Sequence, residues 1–356
     1  MIFLGFFQLP AVQAAKEAWT PPAKCVPADF SKAVGDKAAE SRSGCFVSKL
    51  RGSNKHVHYH VTFPPGYQPQ KNCKSKAESQ YPYAIFLHGR GGHVHNEFAS
   101  NDGESQLAAY ASKKGNPSYL VVSPLDYPQS YWKDGPKGSM NTAKKIGQEL
   151  TAHIESQKCI RKDPCLMGIS MGGHGASYLK FRFPEKFKSA YAIAPIFRAK
   201  NDLEDFTGVY GGDNYEVENP LDILLKGQAG NKAKIGNSLC KGYRAEISEG
   251  DHLISKAEEK TKFRREQIEL IQKSCGTCNV AFEKAESGGH DGAYFKPALK
   301  RAIEFCGKAL SKKEGGEQTG SADNLGCAGS VNSVNSVNPV EIEVPYIGHV
   351  HGLVEI

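Results

Sequence analysis

Gly168-Ile169-Ser170-Met171-Gly172 is the most informative stretch of this 356-residue chain. It has the pattern G-x-S-x-G, with a short apolar run before it and a segment rich in small residues after it. This context predicts a strand that ends in a sharp turn and leads directly into a helix. Such a turn forces the serine into a strained backbone conformation that lifts its hydroxyl off the edge of a sheet. The glycines let the strand and the helix approach closely, and the helix dipole then points at the hydroxyl.

Apolar runs of strand length alternate with helical segments on both sides of this turn. We predict strands at residues 56–61, 83–87, 119–123, 166–168, 189–194, 244–248 and 279–282, with the third ended by Pro124. We predict helices at residues 105–113, 141–157, 172–183 and 255–273; in the second of these, apolar residues recur at four-residue steps. Strands that alternate with helices predict an α/β fold, in which helices cover both faces of a mostly parallel sheet.

Composition divides the chain into three parts. Residues 1–15 begin with a short apolar stretch followed by small residues, which is typical of a signal peptide, although a basic segment at the start is missing. Residues 16–310 carry the predicted α/β domain. Residues 311–356 are rich in Gly, Ser, Glu and Asn, with three Ser-Val-Asn repeats, and they predict a flexible tail.

Overall composition excludes several classes of protein. Hydrophobic residues make up 39% of the chain and charged residues 23%, which excludes wholesale disorder. Apart from the N-terminus, no apolar run approaches the roughly 18 residues of a membrane span, which excludes a polytopic membrane protein. The net charge of +7 is mildly basic, but the sequence has neither an Arg-rich block nor interleaved basic and aromatic residues. We therefore expect no nucleic-acid partner and no integral membrane segment.

The ten cysteines indicate disulfide bonds and an oxidising compartment. Cys159 and Cys165 flank five residues before a predicted strand, so they are candidates to close a small loop. Cys275 and Cys278 have the spacing of a redox motif, but they follow a helical stretch instead of starting one. We therefore expect these two cysteines to be structural.

A serine hydroxyl becomes a strong nucleophile only beside a base, which an acid must in turn orient. In G-x-S-x-G hydrolases the acid and then the histidine follow the serine in the sequence. His290 lies in a Gly-rich loop after the last predicted strand, where the base belongs, whereas His174 is too close to Ser170. Asp251 follows the preceding strand and is the first choice for the acid, with Glu249 as the competitor.

Stabilising an oxyanion requires two backbone N–H groups near the serine. The first is the amide of Met171, which follows the nucleophile. The second belongs to the Gly-rich turn at residues 87–92, where Arg90 is our choice and Gly89 the alternative.

Two further features each have two interpretations. Tyr127, Tyr131 and Trp132 lie in the loop at residues 124–140, which either lines a substrate cleft or lies on the surface. The alternating histidines of the first predicted strand share one of its faces, which either binds a metal ion or faces solvent. The sequence favours the solvated face. These histidines are His56, His58 and His60.

Five stretches carry a family resemblance: V-T-F-P-P-G-Y (61–67), A-I-F-L-H-G-R-G-G (84–92), G-I-S-M-G-G-H-G-A (168–176), F-P-E-K-F-K-S-A-Y-A-I-A-P (183–195) and G-G-H-D (288–291). On these stretches, residues 57–305 resemble the esterase D-like branch of the α/β-hydrolase superfamily. This branch includes S-formylglutathione hydrolases, feruloyl and acetylxylan esterases and mycolyltransferase-like proteins. The resemblance implies an α/β-hydrolase fold and the following roles: Ser170 as nucleophile, Asp251 as acid, His290 as base, and Arg90 and Met171 as oxyanion donors.

Together these features predict a serine carboxylic-ester hydrolase that works through an acyl-enzyme intermediate and needs no metal or organic cofactor. Its expected substrate is a small-molecule or polysaccharide-linked ester, and its expected location is secreted or periplasmic. Two alternatives remain open. They are an acyltransferase with the same three residues, and a non-catalytic binding protein on a hydrolase scaffold.

Overall fold

The computed structural model describes residues 24–50, 56–69, 80–92, 96–125, 130–134, 141–157, 159–196, 240–248, 250–251, 280–283 and 289–311, and the single positions 220, 223, 224, 265, 266, 268, 269 and 271. All of them belong to one compact unit. The predicted signal peptide (1–15) and nearly all of the predicted tail (311–356) lie outside the described residues. So do Glu249, Tyr127 and the pair Cys275 and Cys278.

Eight strands form one sheet in the order β1-β2-β4-β3-β5-β6-β7-β8. Their bounds are β1 (Glu40–Val47), β2 (His56–Phe63), β3 (Tyr83–Leu87), β4 (Leu120–Leu125), β5 (Cys165–Ile169), β6 (Ser189–Ile193), β7 (Tyr243–Ser248) and β8 (Val280–Glu283). The first two pairings, β1 with β2 and β2 with β4, are antiparallel, and all the others are parallel. The predicted mostly parallel sheet is therefore confirmed.

Helices flank the sheet in the described parts of the chain. They are α1 (Glu97–Ser100), α2 (Gly103–Ala111), α3 (Thr142–Lys144), α4 (Thr151–Glu155), α5 (Met171–Arg182) and α6 (Gly292–Leu310). A π-helical stretch, Lys145–Leu150, joins α3 to α4, so that these three pieces form one continuous helical segment. It corresponds to the helix predicted at residues 141–157.

Helices pack against both faces of the sheet, and a separate hydrophobic core lies on each face. Side chains of β5 alternate between the two cores: Leu166 packs on the side of α5 and α3–α4, and Met167 on the side of α2 and α6. Strand β3 is buried at every position, as expected of a strand in the middle of a parallel sheet. Because β3, β5, β6 and β7 run parallel to one another, their carboxyl ends lie at the same edge of the sheet.

Neither helix α6 nor strand β1 was among the elements predicted from the sequence. Strand β1 has no clear sequence pattern. Its burial does not alternate, so no period of two is visible along it. Tertiary contacts hold it instead: Cys45 is disulfide-bonded to Cys25, and Gly44 lies so close to Tyr59 that a Cβ there would be 2.6 Å from its ring. Packing therefore overrides a weak local preference for strand.

Strand β4 is longer than predicted, because Pro124 does not end it. Pairing of β4 with β3 stops at Val122, whereas pairing with β2 continues to Leu125. Pro124, which has no N–H to donate, therefore lies where β4 pairs with β2 only.

The predicted loop between Cys159 and Cys165 is wrong, because Cys165 is bonded to Cys306 in α6. The side chain of Cys165 points to the face of the sheet on which α6 packs. Spacing along the chain does not contain this information, since the two partners are 141 residues apart.

Candidate active site

Ser170 occupies the turn between β5 and α5, as the sequence predicts. Its backbone has φ 57° and ψ −114°, a combination that costs energy for any residue with a Cβ. Backbone hydrogen bonds hold it: its N–H donates to the carbonyl of Ile193 (2.9 Å), and its carbonyl accepts from the N–H groups of His174 (3.0 Å) and Ile196 (3.4 Å). Because β6 and α5 fix both sides of the peptide, the strained conformation persists and the hydroxyl stays at the sheet edge.

The two glycines of the turn are required by close backbone contacts. A Cβ on Gly172 would lie 1.8 Å from the carbonyl oxygen of Leu87, and one on Gly168 would lie 2.3 Å from that of Gly172. Neither distance is compatible with a side chain. The steric argument made from the sequence therefore holds at both positions.

Three side chains from distant parts of the chain form a continuous hydrogen-bonded row. The Ser170 Oγ lies 2.7 Å from Nε2 of His290, and Nδ1 of His290 lies 2.8 Å from Oδ2 of Asp251. Asp251 is fully buried, and the side chain of His290 is 11% exposed. A carboxylate at Nδ1 favours the tautomer with the proton on that atom, so Nε2 can accept the proton of the serine hydroxyl.

A short turn after β7 places Asp251. The N–H of Asp251 donates to the carbonyl of Ser248 (3.1 Å), and the N–H of Gly250 donates to the Ser248 hydroxyl (3.2 Å). This turn points the carboxylate toward His290. The competing acid, Glu249, lies outside the described residues.

His290 is held by the start of α6. The next residue, Asp291, is the N-cap of this helix, and its carboxylate accepts the N–H of Ala293 (2.9 Å). The ring of Phe295 stands edge-on to the imidazole, with 5.0 Å between centroids. Sequence analysis did not identify this cap, although an Asp just before a helical segment is a recognised N-cap signal.

The turn after β3 lies directly against the serine. A Cβ on Gly89 would lie 3.5 Å from the Cβ of Ser170. The N–H of Gly89 donates to the carboxylate of Glu97, and its carbonyl accepts from Nδ1 of His88 (2.8 Å) and from the N–H of Gly92 (3.1 Å). Since a trans peptide is planar, fixing the Gly89 carbonyl also fixes the opposite direction of the Arg90 N–H.

Glu97 is a residue of this site that the sequence analysis did not single out. Glu97 is eight residues beyond the glycine that it contacts, at the start of α1, and nothing in the local pattern marks it as a partner. His88, which lies in the same turn, is only 3% exposed, so its ring is surrounded by protein atoms.

Tyr131 and Trp132 lie in the core instead of lining an open cleft. Trp132 is fully buried; its indole N–H donates to the carbonyl of His88 (3.2 Å), and its ring lies 4.7 Å from the His88 ring. The carbonyl of Tyr131 lies 3.0 Å from Nδ1 of His174. Both residues thus contact elements that adjoin Ser170, namely the turn after β3 and helix α5.

Within the described residues, one group of side chains brings three metal-ligating atoms together: Cys45, His56 and His58, on β1 and β2. None of them belongs to the row of Ser170, His290 and Asp251. None of the helices in the described ranges combines the length and apolarity of a membrane span.

Comparison with known proteins identifies the family of the chain and structures with a similar fold. Residues 52–305 match the family model described as "Putative esterase". Among solved structures, S-formylglutathione hydrolase from Agrobacterium tumefaciens is similar with a TM-score of 0.58 and 14% identity, over 80% of this chain and 100% of that one. The fluorophosphonate-binding serine hydrolase FphF from Staphylococcus aureus is similar with a TM-score of 0.58 and 19% identity, over 75% and 98%.

A third similar structure is the feruloyl esterase module from Clostridium thermocellum, as a mutant in complex with sinapinate. Its TM-score is 0.53 and its identity 14%, over 82% of this chain and 96% of that one. At these identities the solved structures establish a shared fold. No curated protein sequence matches the chain.

Proposed function

This chain belongs to the esterase D-like family of α/β-hydrolases and is a serine carboxylic-ester hydrolase, and we propose that Ser170, His290 and Asp251 form its catalytic triad. The observation that carries this proposal is the row of hydrogen bonds from Ser170 Oγ through His290 to Asp251, at 2.7 and 2.8 Å. Distances of this length let a proton move from the serine to the imidazole without rearrangement.

In the proposed mechanism, Ser170 Oγ attacks the ester carbonyl while His290 Nε2 takes its proton. The tetrahedral intermediate expels the alcohol, which receives the proton from His290, and an acyl-enzyme remains on Ser170. Water then attacks the acyl group, with His290 again as base, and the acid product leaves. Asp251 holds the imidazole and stabilises its charged form at both stages.

We assign the oxyanion donors to the amides of Met171 and Arg90. Met171 is the first residue of α5, where a helical N–H has no acceptor within the helix. Arg90 is favoured over Gly89 because the N–H of Gly89 already donates to Glu97. One such donor is typically worth about 3 kcal/mol of transition-state stabilisation.

The proposed substrates are small-molecule or polysaccharide-linked esters, hydrolysed in a secreted or periplasmic setting. Two disulfide bonds, Cys25–Cys45 and Cys165–Cys306, support an oxidising compartment. The mechanism uses only side chains and backbone amides of this chain.

The proposal is tested with a panel of nitrophenyl esters and a fluorophosphonate probe. Wild-type protein is expected to cleave short-chain esters and to be labelled, and the Ser170→Ala variant is expected to do neither. Ser112→Ala is the matched control, since this exposed serine at the end of α2 is expected to leave both properties unchanged. Labelling that persists in Ser170→Ala would refute the assignment.

A further inference from the structure

Strand β2 displays histidines on one of its faces. Because successive strand residues point to opposite faces, His56, His58 and His60 share a face while the residues between them are buried. The triad described above uses none of them. They are the histidines for which the sequence left a metal-binding interpretation open.

His56 and His58 are close enough to bind one ion. Ligand atoms of these two side chains and of Cys45 lie within 4.8 Å of one another. The two imidazole rings are 6.1 Å apart between centroids and meet at 84°. His56 is exposed, so its ring can turn about χ1 and bring its nitrogen to the roughly 2 Å that a zinc–nitrogen bond requires.

Cys45 flanks this pair without being a thiolate. Its sulfur lies 4.0 Å from Nε2 of His58, but it is bonded to Cys25. A disulfide sulfur lacks the negative charge that makes cysteine a strong metal ligand. The ligands of the oxidised protein are therefore the two imidazoles, with water completing the coordination.

We propose that His56 and His58 form a binding site for a divalent transition-metal ion of borderline softness, Zn²⁺ or Cu²⁺. Imidazole is a good ligand for both ions, whereas Mg²⁺ and Ca²⁺ prefer oxygen ligands. The site lies on the β1–β2 edge of the sheet, and metal bound there stabilises the folded chain because the two ligands are in place only when β2 has formed.

His60 provides a matched control on the same face of the same strand. Its Nδ1 lies 3.1 Å from the hydroxyl of Ser43, and it is not part of the group of converging ligand atoms. A general affinity of histidine-rich surfaces would depend on all three residues equally. A specific site depends on His56 and His58 alone.

The test is calorimetric titration of the full-length, oxidised protein with Zn²⁺. The sequence contains two more His-Val-His tripeptides, at residues 93–95 and 349–351, so the stoichiometry is compared between variants. Wild type and His60→Ala are expected to bind one equivalent more than His56→Ala and His58→Ala, or to bind it at least about tenfold more tightly. Since His56 is exposed, its variant folds whether or not His58→Ala does.

A melting experiment supplies the second readout. Zn²⁺ is expected to raise the Tm of wild type and His60→Ala more than that of His56→Ala, and Mg²⁺ to have no such effect. Equal stoichiometry and affinity in wild type and His56→Ala would overturn the proposal. So would equal losses in His60→Ala and His56→Ala, or a difference between variants that Mg²⁺ reproduces.

Discussion

Cys165 at the start of β5 is disulfide-bonded to Cys306 in α6, and this bond links the two elements that present the proposed nucleophile and base. Strand β5 ends next to Ser170, and α6 begins two residues after His290. The sheet and α5 together fix the position of Ser170, whereas the position of His290 depends on how α6 packs on the sheet. The disulfide therefore constrains the distance on which the proposed triad relies.

Loss of this disulfide is expected to destabilise the protein more than loss of Cys25–Cys45. The two bonds connect residues 141 and 20 positions apart. Restriction of the unfolded chain then gives about 5 kcal/mol for the longer loop and about 3 kcal/mol for the shorter. Urea unfolding of Cys165→Ala/Cys306→Ala and of Cys25→Ala/Cys45→Ala measures both. An equal or larger loss in the second variant would show that loop length does not govern their contributions.

Replacing Glu97 is expected to slow the reaction without weakening substrate binding. Its carboxylate accepts the N–H of Gly89, which holds the turn against Ser170. Without that acceptor the turn shifts, and a displacement of about 1 Å costs about 100-fold in rate. Glu97→Ala is therefore expected to lower kcat by 10- to 100-fold at nearly constant KM.

Glu97→Gln is the matched control for this effect, since an amide oxygen can still accept the Gly89 N–H. Steady-state kinetics with one nitrophenyl ester is expected to give a kcat near that of wild type for this variant. If Gln and Ala reduce kcat equally, the negative charge matters and not the hydrogen bond.

Exchange of the proposed acid is expected to separate Asp251 from Glu249. Asp251→Asn keeps the shape but lets an amide N–H face Nδ1 of His290, which favours the wrong tautomer. A loss of about 10⁴-fold in kcat is known for such a change in a serine protease triad, and a similar loss is expected here. Glu249→Gln is expected to retain activity. The opposite pattern would assign the role to Glu249.

Lys180 is expected to destabilise the protein near neutral pH. It is 2% exposed, and burial lowers its pKa from 10.5 to about 8. Because the unfolded chain binds the proton more tightly, the penalty is complete below about pH 8 and disappears as the pH rises toward 10.5. Lys180→Met removes the charge and keeps a long apolar side chain. It is expected to raise the free energy of unfolding by about 3 kcal/mol at pH 7.

Urea unfolding at pH 7 and again near pH 10 measures this difference between wild type and Lys180→Met. The advantage of the variant is expected to shrink at the higher pH, because the folded wild type has then lost the proton and no longer buries a charge. An advantage that stays the same at both pH values would mean that packing causes it and not charge.

Sequence patterns predicted those parts of the fold that local chemistry determines. Buried strands such as β3 are continuous apolar runs, and the turn at Ser170 has a steric signature. Strand β1 has no such pattern. It forms because a disulfide and contacts with β2 hold it in place. The partner of Cys165 was predicted wrongly for a related reason: it depends on which face of the sheet α6 covers.

Some residues of the candidate site could be predicted from the sequence, and others could not. Asp251 and His290 were predicted because each follows a predicted strand, and the carboxyl ends of parallel strands lie at the same edge of the sheet as Ser170. Glu97 and Asp291 act through short contacts with backbone N–H groups. The contact of Glu97 depends on the path of a turn, which neither periodicity nor composition reveals, whereas Asp291 precedes a helix that the sequence analysis did not predict. The buried positions of Tyr131 and Trp132 likewise follow from packing against His88 and His174.

The most direct test of the proposed mechanism is to trap the acyl-enzyme. Protein is mixed with p-nitrophenyl acetate, quenched in acid within the first turnover, digested and analysed by mass spectrometry. We predict one acetyl group on Ser170 in wild type, its accumulation in a His290→Ala variant only at a greatly reduced rate, and none at that peptide in Ser170→Ala. Rapid ester cleavage with the acetyl group on another residue, or with no acetylated protein in a preparation that shows a burst of nitrophenol, would contradict the mechanism.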